Sequence, residues 1–429
     1  MSSPATGATE SGRPLRVAIT ARSVYPLHKY GGLERHVYDL VRCLIDRGTL
    51  VTLISPPASR KRPSDAAADA VFRHPGLKLL HLPYLTFPLA NRRGTTILDR
   101  STAYPLFGWR AGRAAAALSA ANAIDIVHGL GASVLGYTSV AGNGRRVPMV
   151  FNPQGMEEFG ATDPRRAPLK RVGYLPLRAA VRKCARAADR VLATDRALLK
   201  PLLSHLAVSR QKVRVVPNAI ELTECDRPDA APRALTLRQM AGLGPDGTLL
   251  LSVGRLERNK GFGTLVAALV ALQCAGVFIK PWKWVLVGDG PMREKLQREI
   301  AASGLGGNVI LTGRVGPEDL HAWYEAATLF VHPTLYEGSS LVTLEAMAHR
   351  RPVVATNAGG LPDKVLDGVN GWLVPPGDPA ALAAAIREAL ADQTRLGHMG
   401  AESRAIVERE FSWTAATDTL LAVYRELLG

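Results

Sequence analysis

The sequence predicts an α/β protein made of two doubly wound, parallel-sheet domains, and three observations lead there. Short apolar strand runs alternate with helical stretches, the pattern of a parallel sheet covered on both faces. The alternation occurs twice, on either side of ELTECDRPDAAPRAL (221–235), a stretch rich in Asp, Pro and Ala. The chain has 429 residues, more than one ordinary core needs.

In the first half, LRVAITA reads as a buried strand. The loop KYGGLE leads into the helix LERHVYDLVRCLIDRG, which closes at Gly48. LVTLIS, LKLLHLP, IDIVHG, PMVFN, RVLAT and KVRVVPN follow as strand candidates. In the second half TLLLSVG, KWVLVGDG, NVILTG, LFVHP and PVVAT are strands, each followed by a helix or a loop and helix. The expected division is a domain over 1–222, a linker over 223–240, a domain over 241–408 and a final segment over 409–429. In open parallel sheets ligands bind beyond the carboxyl ends of the strands, so two facing sheets predict an interdomain cleft.

Composition narrows the function. The leader MSSPATGATESGRP has no apolar core, so no secretory signal is expected. TLVAALVALQCAGVFI is broken by Gln273 and Gly276 and reads as a core helix and strand, too short for a membrane span. The cysteines at 43, 184, 225 and 274 form no C-x-x-C pair, which excludes the usual zinc spacing and predicts a reducing, cytoplasmic setting. The net charge of +16 is uneven: residues 1–222 hold 33 Lys and Arg against 14 Asp and Glu, the remainder 20 against 23. A basic half predicts an anionic partner: a membrane surface, a phosphorylated acceptor or nucleic acid. No nucleic-acid-reading motif accompanies it, so nucleic acid is not expected.

The motifs follow strand candidates. In SVGRLERNKGFGTL (252–265), Arg255 comes just after a strand and Lys260 just before a helix, a setting suited to a diphosphate. Gly31 and Gly32 allow close approach of backbone amides to a phosphate or sugar. His128 stands at a strand exit. YEGSSLVTLEAMA (336–348) carries Glu337 and Glu345, eight residues apart. Ser339 and Ser340 are strong helix-capping residues, so Glu337 is placed on a loop and Glu345 on the helix it feeds. Together they bracket a ligand longer than one ring. No Walker loop, D-x-D or H-E-x-x-H occurs, so no metal is expected.

The order GG loop, strand-exit His, VVPNAIEL, SVGRLERNKG, LVGDGP, E-x7-E and VVATNAGGLPDKVLDGVNGWLVPPGD resembles the retaining glycosyltransferases of family 4, the group 1 glycosyl transferases. The resemblance covers nearly the whole chain and is strongest over about 213–378. It implies the GT-B fold, with acceptor bound mainly by the first domain and nucleotide sugar by the second. It implies that the final helix, within FSWTAATDTLLAVYRELL, returns to the first domain. The implied donor-binding residues are Gly31, Gly32, Arg255, Lys260, Gly338, Ser339, Ser340, Leu341 and Glu345. Arg255 and Lys260 hold the diphosphate, and Glu345 the ribose. The implied catalytic residues are His128 and Glu337, both near the transferred sugar.

Three positions depart from the family pattern: Ala219 and Arg350 stand where Gly is common, and Asp363 where Glu is usual. The expected activity is metal-independent transfer from a UDP- or GDP-sugar to a hydroxyl acceptor, a lipid-linked or cell-envelope saccharide. Residues 161–190 hold nine Lys and Arg against two acids and predict peripheral contact with an anionic membrane. The alternatives are a sugar-phosphate synthase or epimerase on the same plan, a basic nucleic-acid-binding protein, and a catalytically silent sugar-binding scaffold.

Overall fold

The computed structural model describes residues 7–8, 12–28, 31–59, 65–85, 96–139, 146–154, 156–159 and 172–429. Two compact units result: 1–218 with 413–429, and 219–412.

The first unit is a seven-stranded parallel sheet of β1 (Arg16–Thr20), β2 (Leu50–Ser55), β3 (Leu77–His81), β4 (Ile126–Leu130), β5 (Met149–Asn152), β6 (Arg190–Ala193) and β7 (Val213–Val215). Its order is β3-β2-β1-β4-β5-β6-β7. The order reverses between β1 and β4, where Val17 pairs with Ile126 and Ile19 with His128. β4 and β5 are wholly buried, as apolar strands with both faces covered must be.

The second unit has six parallel strands: β8 (Thr248–Val253), β9 (Trp282–Val287), β10 (Val309–Gly313), β11 (Leu329–His332), β12 (Val353–Thr356) and β13 (Gly371–Val374). The order β10-β9-β8-β11-β12-β13 reverses between β8 and β11. Two apolar clusters lie on it, one centred on Tyr324, Phe330 and Met347, the other on Trp284, Leu269 and Ile386. Trp284 donates its indole N–H to Ser252 Oγ at 3.1 Å, and Ser252 donates to the Val331 carbonyl at 2.7 Å, so the polar atoms of these two buried side chains are satisfied.

Two expectations change. The division falls at 218/219 rather than after 222, and the expected linker is largely helical, as Leu222–Cys225 and Ala230–Met240. Ala, Leu, Arg and Gln favour a helix, and Pro232 sits in the first turn, where its missing N–H costs nothing. β13 escapes the sequence pattern because GWLV is only four residues long, after a glycine-rich turn. Its pairing with β12 makes it a strand. The final helix is Trp413–Leu428 and packs within the first unit. There Glu426 Oε1 pairs with Arg190 at 2.7 Å and its Oε2 with Arg214 at 3.0 Å.

Arg350, where glycine is common in the family, has φ +55°. It follows His349 at the end of the Leu341–Ala348 helix, the position at which a left-handed glycine usually stops a helix. A side chain in that conformation costs about 1–2 kcal/mol, while glycine costs about 0.5–1 kcal/mol more to order. Arg350→Gly should therefore stabilise the chain by about 0.5–1 kcal/mol in urea unfolding. A lower midpoint would show that the charge of Arg350 near Asp226 and Glu325 outweighs its backbone strain.

Candidate active site

In the second unit the loops leaving β8, β11 and β12 converge at the switch point. Lys260 ends a single 3-10 turn, Arg258–Lys260, before the helix Phe262–Cys274. Gly261 between them has φ +68°, and a Cβ there would lie 1.9 Å from the Pro333 carbonyl. Only glycine allows that approach. The Asn259 carbonyl accepts from Leu335 N–H at 2.7 Å and Thr334 Oγ1 at 2.9 Å, locking the β8 and β11 loops together. From the other side, Gly359 at φ +56° would place a Cβ 1.8 Å from the Glu337 carbonyl, and Gly360 N–H donates to the Gly338 carbonyl at 3.1 Å.

This clamp sets Glu337 beside Lys260. Lys260 Nζ lies 2.5 Å from Glu337 Oε2, with side chains only 17% and 13% exposed. His332, at the end of β11, brings Nε2 to 3.0 Å from the same oxygen, and Gly338 N–H donates to Oε1 at 3.2 Å. Burial alone would raise the pKa of Glu337, but the His332 hydrogen bond and the Lys260 charge prevail and hold it down to about 2. Burial lowers the pKa of His332, so a neutral imidazole donates through Nε2.

Ser340 occupies the capping position of the Leu341–Ala348 helix, as expected, but its side chain does not cap it. Ser340 Oγ instead accepts from Thr343 Oγ1 at 2.9 Å. Buried Lys364 donates to Ser339 Oγ and to the Gly360 carbonyl, both at 3.2 Å, placing a cation under this helix start. Glu345 lies one helical turn and more beyond. It accepts from Tyr324 Oη at 2.8 Å, and burial shifts its pKa upward. Arg255 is apart from this group: 71% exposed, it pairs with Glu257 at 3.0 Å.

The first unit has its own switch point. Gly31 is the residue before the helix Gly32–Asp46, in extended backbone, and His128 lies within β4. His128 is buried, which lowers its pKa to about 3, and its Nδ1 lies 2.6 Å from Tyr424 Oη. If the tyrosine donates, Nε2 carries a proton, and no described atom accepts it. Nearby is a pocket lined by Arg22, Ser23, Arg100, Tyr104, Gln154 and Glu158 among others.

The structure thus brings together Lys260, Glu337, Gly338, Ser339, Ser340 and Leu341, with Glu345 on the same helix, and leaves Arg255 at the surface. Sequence reasoning missed His332, Lys364 and Tyr324. His332 had a signal, a histidine closing the strand LFVHP. Lys364 and Tyr324 had none, because their partners lie 25 and 21 residues away.

Comparison with known proteins adds three findings. The family model described as Glycosyltransferase Family 4 matches residues 30–224, and that described as Glycosyl transferases group 1 matches 247–392. The chain is 28% identical over 434 residues to the D-inositol 3-phosphate glycosyltransferase of Xylanimonas cellulosilytica, covering 96% of each. Among solved structures it is similar to a sucrose-phosphate synthase from Thermosynechococcus elongatus, with a TM-score of 0.71, 24% identity and coverage of 96% and 99%. It is also similar to Anabaena Alr3699/HepE in complex with UDP, with a TM-score of 0.66, 19% identity and coverage of 95% and 99%. The two units are those of the GT-B fold.

The Glu337 shift has a pH signature. Its folded pKa of about 2 lies below the ordinary 4.5, so its contribution is whole above 4.5 and is lost as pH falls towards 2. Glu337→Gln should lower stability by about 2–3 kcal/mol at neutral pH, and the gap should narrow in acid. Urea midpoints of both proteins against pH test this. A gap that stays constant below pH 4.5 would mean that the carboxylate is not held ionised.

Proposed function

The chain belongs to the glycosyltransferases of family 4, and from that membership we propose a retaining transfer from a UDP- or GDP-sugar to a hydroxyl acceptor. The observation that carries this reading is the Lys260–Glu337–His332 group at the second unit's switch point, beside the start of the Leu341–Ala348 helix.

In the reaction the bond from the anomeric carbon to the diphosphate oxygen breaks, and its electron pair leaves with the diphosphate. Lys260 carries that charge, joined by Arg255 when its exposed side chain turns from Glu257, with the helix start at Gly338–Leu341 adding backbone donors and its dipole. The acceptor oxygen attacks on the face the diphosphate leaves, and its proton passes to the departing phosphate oxygen. Configuration is kept without a covalent intermediate. Glu337 stays anionic near the sugar, whose ring becomes cationic as the bond breaks. His332 and Gly338 N–H hold that carboxylate in place while Lys260 is shared with phosphate. Glu345, steadied by Tyr324, accepts the ribose hydroxyls. Gly31 and Gly32 offer amides to phosphate, and neutral His128 offers a polar contact to the sugar.

For the acceptor, a lipid-linked or cell-envelope saccharide is one reading. A phosphorylated sugar or polyol is the second, favoured by Arg22 and Arg100 in the first unit's pocket. A relative similar over 96% of this chain is named for such a molecule.

The test is turnover with UDP- and GDP-hexoses and NMR of the product anomer. No transfer from either donor, or inversion, would overturn the reading. Excess EDTA should leave kcat almost unchanged, and a loss restored by Mg²⁺ or Mn²⁺ would defeat the cation-only account. Lys260→Ala should cost about 2–4 kcal/mol in kcat/KM. Glu337→Gln and His128→Ala should lower kcat with little effect on donor binding, because they act on charge that develops during transfer. Glu345→Ala should raise KM and spare kcat. The reverse pattern would exchange the two glutamates' roles.

We also propose peripheral attachment to anionic membranes. Among the described residues, no helix is long and apolar enough to cross a membrane. Residues 161–171 of the basic stretch lie outside those described. The helix Leu175–Ala187 buries Leu177, Ala180, Val181 and Cys184 and carries Arg178, Arg182, Lys183 and Arg186. Arg182 Nε donates to the His205 carbonyl at 2.8 Å, so part of this charge is already engaged. Vesicles containing anionic lipid should sediment the protein in low salt and release it in high salt. Equal binding to neutral vesicles, or none to either, would refute attachment.

A further inference from the structure

A second polar group in the same unit is not used by the transfer chemistry. Cys225 ends the helix Leu222–Cys225, His321 lies within Pro317–Ala326, and His349 follows Leu341–Ala348. All three are buried, and one ligand atom from each lies within 4.8 Å of the others. His321 Nδ1 is 3.0 Å from His349 Nε2.

The protonation pattern follows from the surroundings. Glu325 Oε2 lies 3.2 Å from His349 Nδ1, and a carboxylate accepts, so Nδ1 holds the proton. The lone pair of His349 is then on Nε2, pointing into the group. A carboxylate fixing a histidine's outer nitrogen in this way is the arrangement that orients metal-bound imidazoles. Arg351 holds the other Glu325 oxygen at 3.6 Å. Without a cation, the contact between the two rings is one hydrogen bond, and the thiol adds only a weak donor.

We propose that Cys225, His321 and His349 bind one zinc ion, with Glu325 as the positioning residue. Two imidazoles and a thiolate suit zinc, whereas Mg²⁺ and Ca²⁺ prefer oxygen. Tetrahedral zinc sets such ligand atoms about 3.3–3.7 Å apart, so shifts of about 1 Å or less complete the triangle. Water takes the fourth position. On binding, the Cys225 thiol releases its proton and the His321 proton moves from Nδ1 to Nε2. The ion then joins three helices. It also steadies the His349 ring, which stacks on Tyr324 with centroids 5.6 Å apart, and Tyr324 holds Glu345. The ion is structural and does not touch the diphosphate.

The experiment uses the full chain, loaded with Zn²⁺ and then dialysed. Elemental analysis should find about one zinc per chain, and thermal unfolding should shift upward. Co²⁺ in place of zinc should show a thiolate-to-metal absorption band, which Cys225→Ser abolishes. Glu325→Gln should weaken zinc about 10–100-fold in a chelator competition. A chain that retains no zinc, or a Co²⁺ complex with no thiolate band, overturns the proposal without needing any variant to fold. Zinc retained equally by Cys225→Ser and His349→Ala would place the ion elsewhere and also overturn it. Metal content and spectra do not depend on transfer activity, so failure here is distinct from failure of the reaction proposed above.

Discussion

The contact between Lys260 and Glu337 constrains more of the second unit than any other. Two opposite charges held mostly out of water cost desolvation, and their attraction offsets it only if their geometry is fixed. The fold fixes it with backbone. Gly261 lets the β8 loop touch the β11 loop, and Gly359 lets the β12 loop touch the carbonyl of Glu337 itself. A Cβ at either glycine would collide with a carbonyl oxygen, so the packing of three strand exits depends on two residues without side chains. His332 and Gly338 N–H then donate to the same carboxylate, one to each oxygen. Lys260 is therefore a cation already positioned, not a flexible side chain.

The alternation of strands and helices was readable because each strand is a local apolar run. Even the switch points were implied, since the motif residues follow β1, β8 and β11. The boundaries were less readable. Helix formation in the Ala230–Met240 stretch depends on packing against Pro317–Ala326, where Arg233 meets Asp319 at 2.6 Å. That contact spans 86 residues and leaves no trace in local composition. The site was legible where its residues cluster in sequence, as from Glu337 to Leu341. It was not legible where a distant partner decides the chemistry, as with Lys364 under Ser339. The Cys225, His321 and His349 group is the extreme case, because metal motifs are recognised by short spacing and these residues have none.

The two glutamates show how one residue type acquires two chemistries. They stand eight residues apart, and both are largely withdrawn from water. Glu337 has a cation and a neutral imidazole donor on one oxygen, which keeps it ionised far below the ordinary carboxylate range. Glu345 has a tyrosine hydroxyl and, among the described residues, no cation paired with it, so burial wins and its pKa rises. Fixed negative charge suits a position where positive charge develops and then vanishes. A carboxylate that holds its proton more readily is suited to hydroxyl groups that keep their charge throughout.

That division also explains why each glutamate needs different support. Glu337 is held by electrostatics, so its supports are charged or strongly polar and come from the strand exits. Glu345 has little electrostatic hold, and its orientation rests on packing: Tyr324 beneath it, His349 stacked on Tyr324, and Glu325 bonded to His349. A chain of rings is rigid only if its far end is anchored. Glu325 and Arg351 anchor it in the plane of the carboxylate, and a metal ion on His349 Nε2 would anchor it on the other side of the ring. Glu345 and the Cys225, His321 and His349 group are thus two ends of one packed column, and holding either end limits the motion of the other.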